Sequence, residues 1–156
     1  MSKRDIIILI VIVLVLAGIL FFLPFRSAPP SKRPPVTVAK VPLSELPKSF
    51  PANLPVDAVI KVVANYTATV PGGAVQATRS VLSSRSVQES FSFYKTFLSS
   101  PKNGWAIMAE VNDPKILDRK ALFARNAGGV LGINISAGKA AGTSNVEVSF
   151  TAKRGS

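Results

Sequence analysis

The sequence contains no cysteine and no histidine among its 156 residues. Without cysteine the chain can form no disulfide and can carry no lipid attached through a thiol. Without either residue type, a cysteine- or histidine-ligated zinc site and a histidine-based catalytic triad are excluded. Acidic residues are also scarce, 8 against 19 lysines and arginines, and no two of them are spaced for acid–base catalysis or metal binding. We therefore expect a non-catalytic protein that holds no metal and no cofactor.

One long apolar run stands near the N-terminus. Residues 6–23 read IIILIVIVLVLAGILFFL and carry no charge, and Pro24 and Phe25 extend the run to 25. A helix of about 20 residues is long enough to cross a hydrocarbon core of about 30 Å. A cleaved signal peptide has a shorter apolar core, and the one nearby candidate cleavage position, Ala28, is followed by proline. The pattern predicts a basic tail over 1–5 and a transmembrane helix over 6–25.

The basic residues beside the predicted transmembrane helix and the order of the segments around it favour opposite orientations in the membrane. Lys3 and Arg4 precede it, whereas more basic residues follow it, which mildly favours the C-terminal side in the cytoplasm. A short basic tail, a long apolar segment and a downstream domain are instead typical of a signal anchor. We follow the layout and expect a single-pass protein of the cell membrane with its C-terminal domain outside the cytoplasm.

A proline-rich linker is predicted over residues 26–50. Prolines occur in and just before it at positions 24, 29, 30, 34, 35, 42 and 47. Proline fixes φ and lacks an N–H donor, so neither a helix nor a central strand is expected there. Such a segment favours extended polyproline II structure. We expect a stalk that holds the domain away from the bilayer.

Residues 51–156 are predicted to form one α+β domain. Alternating or β-branched runs predict six strands, at 56–70, 74–82, 105–111, 116–125, 130–136 and 145–151. Between the second and the third, Ser86 and Glu89 have capping-box spacing ahead of an apolar stripe that includes Phe91 and Tyr94. The order is β-β-α-β-β-β-β, and short connections favour a mostly antiparallel sheet with the helix packed on it. We expect Phe91, Tyr94 and Trp105 to be structural.

Four short motifs stand in this region: Phe50-Pro51, Leu54-Pro55, Phe93-Tyr94-Lys95 and Gly104-Trp105. Together they resemble a small exported bacterial domain found in membrane-anchored or lipid-modified proteins. The resemblance covers most of residues 50–151 and departs at Val56-Asp57-Ala58, where such domains often carry a Tyr-Pro-Gly-Ala type of turn. It implies an extracytoplasmic α+β domain of the bacterial cell envelope, and it supplies no catalytic residues.

Ser92 and Lys95 match the S-x-x-K pattern of serine acylases of the penicillin-binding type. In those enzymes the lysine activates the serine, but a K-T-G strand is also required, and this chain has none. The pattern recurs at 99–102 and 136–139, so it is easily matched. We expect Ser92 and Lys95 to lie on the solvated side of the helix.

The remaining signal is positive charge. The domain has 12 lysines and arginines against 6 acidic residues. The candidate contact residues cluster on one segment: Lys115, Arg119, Lys120 and Arg125. We expect a binding or assembly module that contacts another envelope protein. The alternative is a polyanion-binding module for nucleic acid, an anionic wall polymer or lipid. A small-molecule substrate is not expected.

Overall fold

The structure, a computed structural model, describes residues 36–56, 58–69 and 73–153. Its elements are strands β1 (Thr37–Lys40), β2 (Val59–Thr69) and β3 (Val75–Ser83), helix α1 (Val87–Ser99), a 3-10 turn (Pro101–Asn103), and strands β4 (Ala106–Val111), β5 (Arg119–Asn126), β6 (Gly129–Ala137) and β7 (Ser144–Ala152). The strands form one sheet in the order β1-β2-β3-β7-β6-β5-β4, and every neighbouring pair is antiparallel. The predicted α+β fold, a mostly antiparallel sheet with a helix packed on it, is confirmed for these residues.

The seventh strand, β1, lies inside the predicted linker. Thr37-Val38-Ala39 falls between two groups of prolines, and β1 pairs with β2 at the edge of the sheet, where flanking prolines interrupt no ladder on the outer side. The predicted boundary between linker and domain at residue 50 is therefore too late in the chain. Residues 26–35 and the predicted transmembrane helix over 6–25 lie outside the described residues. Within the described ranges, no helix is both long and apolar enough to cross a membrane.

Helix α1 packs its apolar stripe on one face of the sheet. Its buried side chains include Phe91, Tyr94 and Leu98, and it contacts strands β4 to β7. The sheet supplies aliphatic partners such as Ile133, and the rings of Trp105 and Phe150 meet edge to face at 6.1 Å. The structural roles predicted for Phe91, Tyr94 and Trp105 are confirmed, since all three belong to the core.

A segment that we call the strap, residues 41–56, covers the same face over β2 and β3. The Asn65 side-chain amide donates to the carbonyl oxygens of Pro42 and Glu45 at 2.9 and 2.5 Å. Arg79 donates to the Glu45 carbonyl as well, at 2.7 Å, and Phe50 and Leu54 enter the core. Helix and strap together cover one face of the sheet.

Candidate functional site

The other face of the sheet, which we call the open face, is not covered by any described element. Cross-strand partners place their side chains on the same face, so the registers arrange the open face in rows that run across the strands. Row one is Lys61, Leu82, Asn145, Ser136 and Arg119; row two is Ala64, Ser80, Glu147, Asn134, Ala121 and Val111; row three is Lys40, Tyr66, Thr78, Ser149, Gly132, Phe123 and Ala109; row four is Val38, Ala68, Gln76, Thr151, Val130, Arg125 and Ala106.

Two adjoining depressions lie on rows one and two. The first, of about 300 Å³, is lined mainly by Val63, Ser80, Asn134, Ser136, Asn145 and Glu147. The second, of about 390 Å³, is lined by Val111, Arg119, Ala121 and again Asn134 and Ser136. Lys120 and Ile135 also line it, although both are buried and their side chains lie on the helix-covered face. The two depressions share Asn134 and Ser136 and therefore adjoin each other, and we call the pair of depressions the groove. Val63 forms one end wall because the register of β2 shifts there, between Val62 and Ala64.

The floor of the groove is polar, and only some of its hydrogen-bonding groups have a partner. Ser80 Oγ donates weakly to Glu147 Oε2 at 3.4 Å, and the Asn145 amide donates to the Ala137 carbonyl at 3.2 Å. The side chains of Asn134 and Ser136 form no hydrogen bond with any residue that the structure describes. Their donors and acceptors are therefore available to a ligand.

Three of the four candidate contact residues are exposed, and the fourth, Lys120, is buried. Arg119 and Arg125 both lie on the open face, six positions apart on β5 and so about 20 Å apart along the strand. Lys115 is exposed in the turn before that strand, where its backbone N–H donates to Asp113 Oδ1 at 2.8 Å. These three remain accessible for a contact.

Lys120 does not join them. It is only 6% exposed and points to the helix-covered face. Its ammonium donates to Asn112 Oδ1 and lies 5.4 Å from the centre of the Phe91 ring, a cation–π contact. Lys120 is therefore placed to stabilise the domain, and a partner on the surface would not reach its charge.

The structure also brings basic residues to the open face that the sequence did not indicate. Lys61 and Arg119 are the two ends of row one. Lys40 is one end of row three, next to Tyr66. The bulges in β2 hide this arrangement, since each extra residue reverses the alternation that assigns a side chain to a face.

The S-x-x-K pair lies exposed on the solvated side of α1, as predicted. Lys95 Nζ forms an ion pair with Glu110 Oε2 at 2.8 Å, and the Gln88 amide donates to Ser92 Oγ at 3.3 Å. In the ranges that the structure describes, no three acidic side chains gather as a metal site.

Comparisons with known proteins give no relative. The chain matches no protein-family model, no curated protein and no solved structure. The resemblance to small exported bacterial domains therefore stays a prediction from its short motifs, and the geometry of the open face is the basis for a functional proposal.

Proposed function

We propose that the protein is a non-catalytic binding or assembly module of the bacterial cell envelope that contacts another envelope protein through its open face. A single transmembrane helix over 6–25 would anchor it in the cell membrane, with the domain outside the cytoplasm. The apolar run and the signal-anchor layout support the anchor. The proposal involves no cofactor and no small-molecule substrate.

The observation that carries the contact role is the chemistry of the open face. A solvated face is common in antiparallel sheets, and polar side chains would be sufficient for it. This face also exposes apolar side chains: Phe123 is 36% exposed, and Val63 and Val130 are more exposed still. Aromatic residues and arginine are each enriched at protein interfaces, and on β5 Phe123 lies on the same face as Arg125, two positions away, and as Arg119, four positions away.

Site-specific photocrosslinking in intact cells tests this proposal. A benzoylphenylalanine in place of Phe123 keeps an aromatic ring on the open face, on the strand next to the β4 edge. We expect it to crosslink to a membrane or exported protein. The control carries the same group at Thr96, which is exposed on the outer side of α1. Crosslinks from position 96 but not from 123 would show that the partner contacts the helix side of the sheet and not the open face.

The position of the domain outside the cytoplasm has its own test. Protease access to a C-terminal tag is compared in intact, wall-stripped and lysed cells. Cleavage before lysis is expected. Protection until lysis would reverse the topology and would direct the search for partners to cytoplasmic lipid and nucleic acid.

Polyanion binding is the second candidate, favoured by the charges on the open face. Lys40, Lys61, Arg119 and Arg125 stand there against a single acidic residue, Glu147, among the four rows. Binding by such charges weakens steeply with salt because counterions are released. Changing Lys61, Arg119 and Arg125 to glutamine should flatten the dependence of the binding constant on salt, whereas an unchanged slope would remove this candidate.

A further inference from the structure

We propose that the groove on rows one and two binds an anionic polysaccharide, which lies across the strands with its acid groups at the two ends and its hydroxyls on the floor. The inference rests on the proposed function, because it takes the open face as the contact surface. It adds the chemical class of the ligand to the polyanion-binding candidate.

The floor of the groove favours a ligand with many hydroxyl groups. Asn134 and Ser136 offer both donors and acceptors, and both are free of partners within the described part of the chain. Glu147 is the decisive member, because a carboxylate only accepts hydrogen bonds and Ser80 makes only a long one to it. A sugar hydroxyl can donate to Glu147. A chain of phosphates without hydroxyls would meet it with like charge.

The positive charges are separated, which favours a ligand whose acid groups are separated too. Lys61 and Arg119 end row one on β2 and β5, with β3, β7 and β6 between them, so the two strands are about 19 Å apart. The side chains between them in the row, Leu82, Asn145 and Ser136, are neutral. Duplex DNA carries a charge about every 1.7 Å and would be better matched by a continuous basic stripe. An acidic polysaccharide carries its acid groups farther apart than that, with neutral hydroxyls between them.

A protein segment fits this part of the face less well than a glycan. The hydrogen-bonding centre of the groove has no aromatic side chain, whereas protein interfaces are commonly anchored by aromatic residues in pockets. An extended peptide would find unpaired backbone groups at the sheet edges β1 and β4 rather than across the middle of the rows. An acidic peptide is therefore a competitor in the test.

The experiment measures binding of four polymers to the full chain in non-ionic detergent at low ionic strength. They are polygalacturonate as acidic glycan, dextran as neutral glycan, poly-glutamate as acidic peptide, and single-stranded DNA. We expect polygalacturonate to bind at least about tenfold more tightly than any other, and Asn134→Ala to weaken it about three- to tenfold through lost hydrogen bonds. Asn134 is exposed, so this variant should fold, which circular dichroism verifies.

Charge variants locate the site. Lys61→Gln with Arg119→Gln should remove most of the polygalacturonate binding. The control, Lys48→Gln with Lys102→Gln, removes the same charge from exposed positions off the open face and should have little effect. Equal effects of the two pairs would overturn the site.

The remaining outcomes separate this inference from the proposed function. Equal binding of polygalacturonate and poly-glutamate, or no effect of Asn134→Ala, would overturn glycan recognition and leave a general polyanion surface. Absence of binding to all four polymers would overturn the inference too, while crosslinks from position 123 would still support a protein partner.

Discussion

The hydroxyl oxygens of Ser90 and Ser144 lie 2.8 Å apart in the interior, where helix α1 meets strand β7. Ser90 is 2% exposed and Ser144 is fully buried, so neither hydroxyl can turn to water. One hydroxyl donates to the other, and this hydrogen bond permits two polar side chains within an apolar helix–sheet interface.

Removing one hydroxyl of this pair should cost more than the hydrogen bond alone, because the other hydroxyl stays buried. Ser144→Ala leaves the Ser90 hydroxyl buried without this partner, and we expect the free energy of unfolding to fall by about 1–3 kcal/mol. The double variant, with Ser90→Ala added, should lose less than the sum of the two single variants. Urea unfolding followed by the fluorescence of buried Trp105 measures all three. Strict additivity would mean that the two hydroxyls do not depend on each other.

Two adjacent glycines in the β5–β6 turn should respond differently to alanine. Asn126 Oδ1 accepts the backbone N–H groups of both Gly128 and Gly129, at 2.9 and 3.0 Å. A Cβ at Gly129 would clash with the Thr151 carbonyl and lie 2.7 Å from the Phe150 ring, whereas at Gly128 the nearest atom is 3.5 Å away. We expect Gly129→Ala to cost about 1–3 kcal/mol through overpacking, and Gly128→Ala less than about 0.5 kcal/mol. Similar midpoints of thermal unfolding for the two variants would contradict this.

The capping box at the start of α1 makes the stability of the domain depend on pH. The Ser86 N–H donates to Glu89 Oε2 at 2.8 Å, the Ser86 hydroxyl donates to it as well, and the Glu89 N–H donates back to Ser86 Oγ at 3.3 Å. The backbone N–H of Ser86, then its hydroxyl and the charge of Arg85, lower the pKa of Glu89 below its ordinary value of 4.5, against slight desolvation. A carboxyl with a lowered pKa stabilises the fold above its unfolded pKa and stops doing so as the pH falls through its folded pKa.

Glu89→Gln isolates this charge, because glutamine can still complete a capping box. At pH 7 the variant should be less stable than the wild-type chain. The difference should shrink once the pH falls below 4.5, where the wild-type carboxyl also becomes protonated. Denaturant unfolding at a series of pH values measures the difference directly. A difference that stays constant with pH would show that the charge of Glu89 contributes nothing.

The sequence predicted the elements whose signals are local. The helix follows from a cap and an apolar stripe within a few turns, and β7 from strict alternation of Val146, Val148 and Phe150 with polar residues. Strand β1 was not predicted, because all four of its residues are exposed and show no alternation. Only its pairing with β2 makes it a strand. The predicted start of β5 at 116 was early, since Ile116 and Leu117 lie exposed in the preceding turn.

The candidate contact residues show where reasoning from proximity fails. Arg119 and Lys120 are neighbours in sequence, but successive side chains of a strand point to opposite faces, so they could not share a surface once the segment was assigned to a strand. That part was available from the sequence. The sequence could not show that Lys61 lies in the same row as Arg119, at its other end, because this depends on the order of five strands and on the bulges of β2.

The strap should loosen when Asn65 is shortened. Its amide donates to two strap carbonyls, and Asn65→Ala leaves those carbonyls of Pro42 and Glu45 without this donor. We expect a loss of about 1–3 kcal/mol and faster amide hydrogen exchange in residues 41–56, with the rates in α1 less affected. Asn145→Ala is the control, since its amide bonds only Ala137 on the opposite side of the sheet. Unchanged exchange in the strap of Asn65→Ala would mean that Phe50 and Leu54 hold it alone.

Neighbouring charge reversals at Arg119 and Lys120 should separate binding from stability. Arg119 is exposed on the open face, so Arg119→Glu should change the free energy of unfolding by less than about 0.5 kcal/mol. Lys120→Glu puts a carboxylate in the buried site beside Asn112 and the Phe91 ring, and an uncompensated buried charge costs about 3–5 kcal/mol.

Binding should show the reverse order, provided that Lys120 is tested with a variant that folds. Lys120→Met keeps the apolar stem of the side chain in the core and removes only the ammonium. Arg119→Glu should lose affinity for an anionic polymer, because it reverses a charge at the end of the groove, whereas Lys120→Met should bind like the wild-type chain. If Lys120→Met lost as much affinity as Arg119→Glu, the buried ammonium would act on the ligand through the sheet. The division of the basic cluster between two faces would then be wrong.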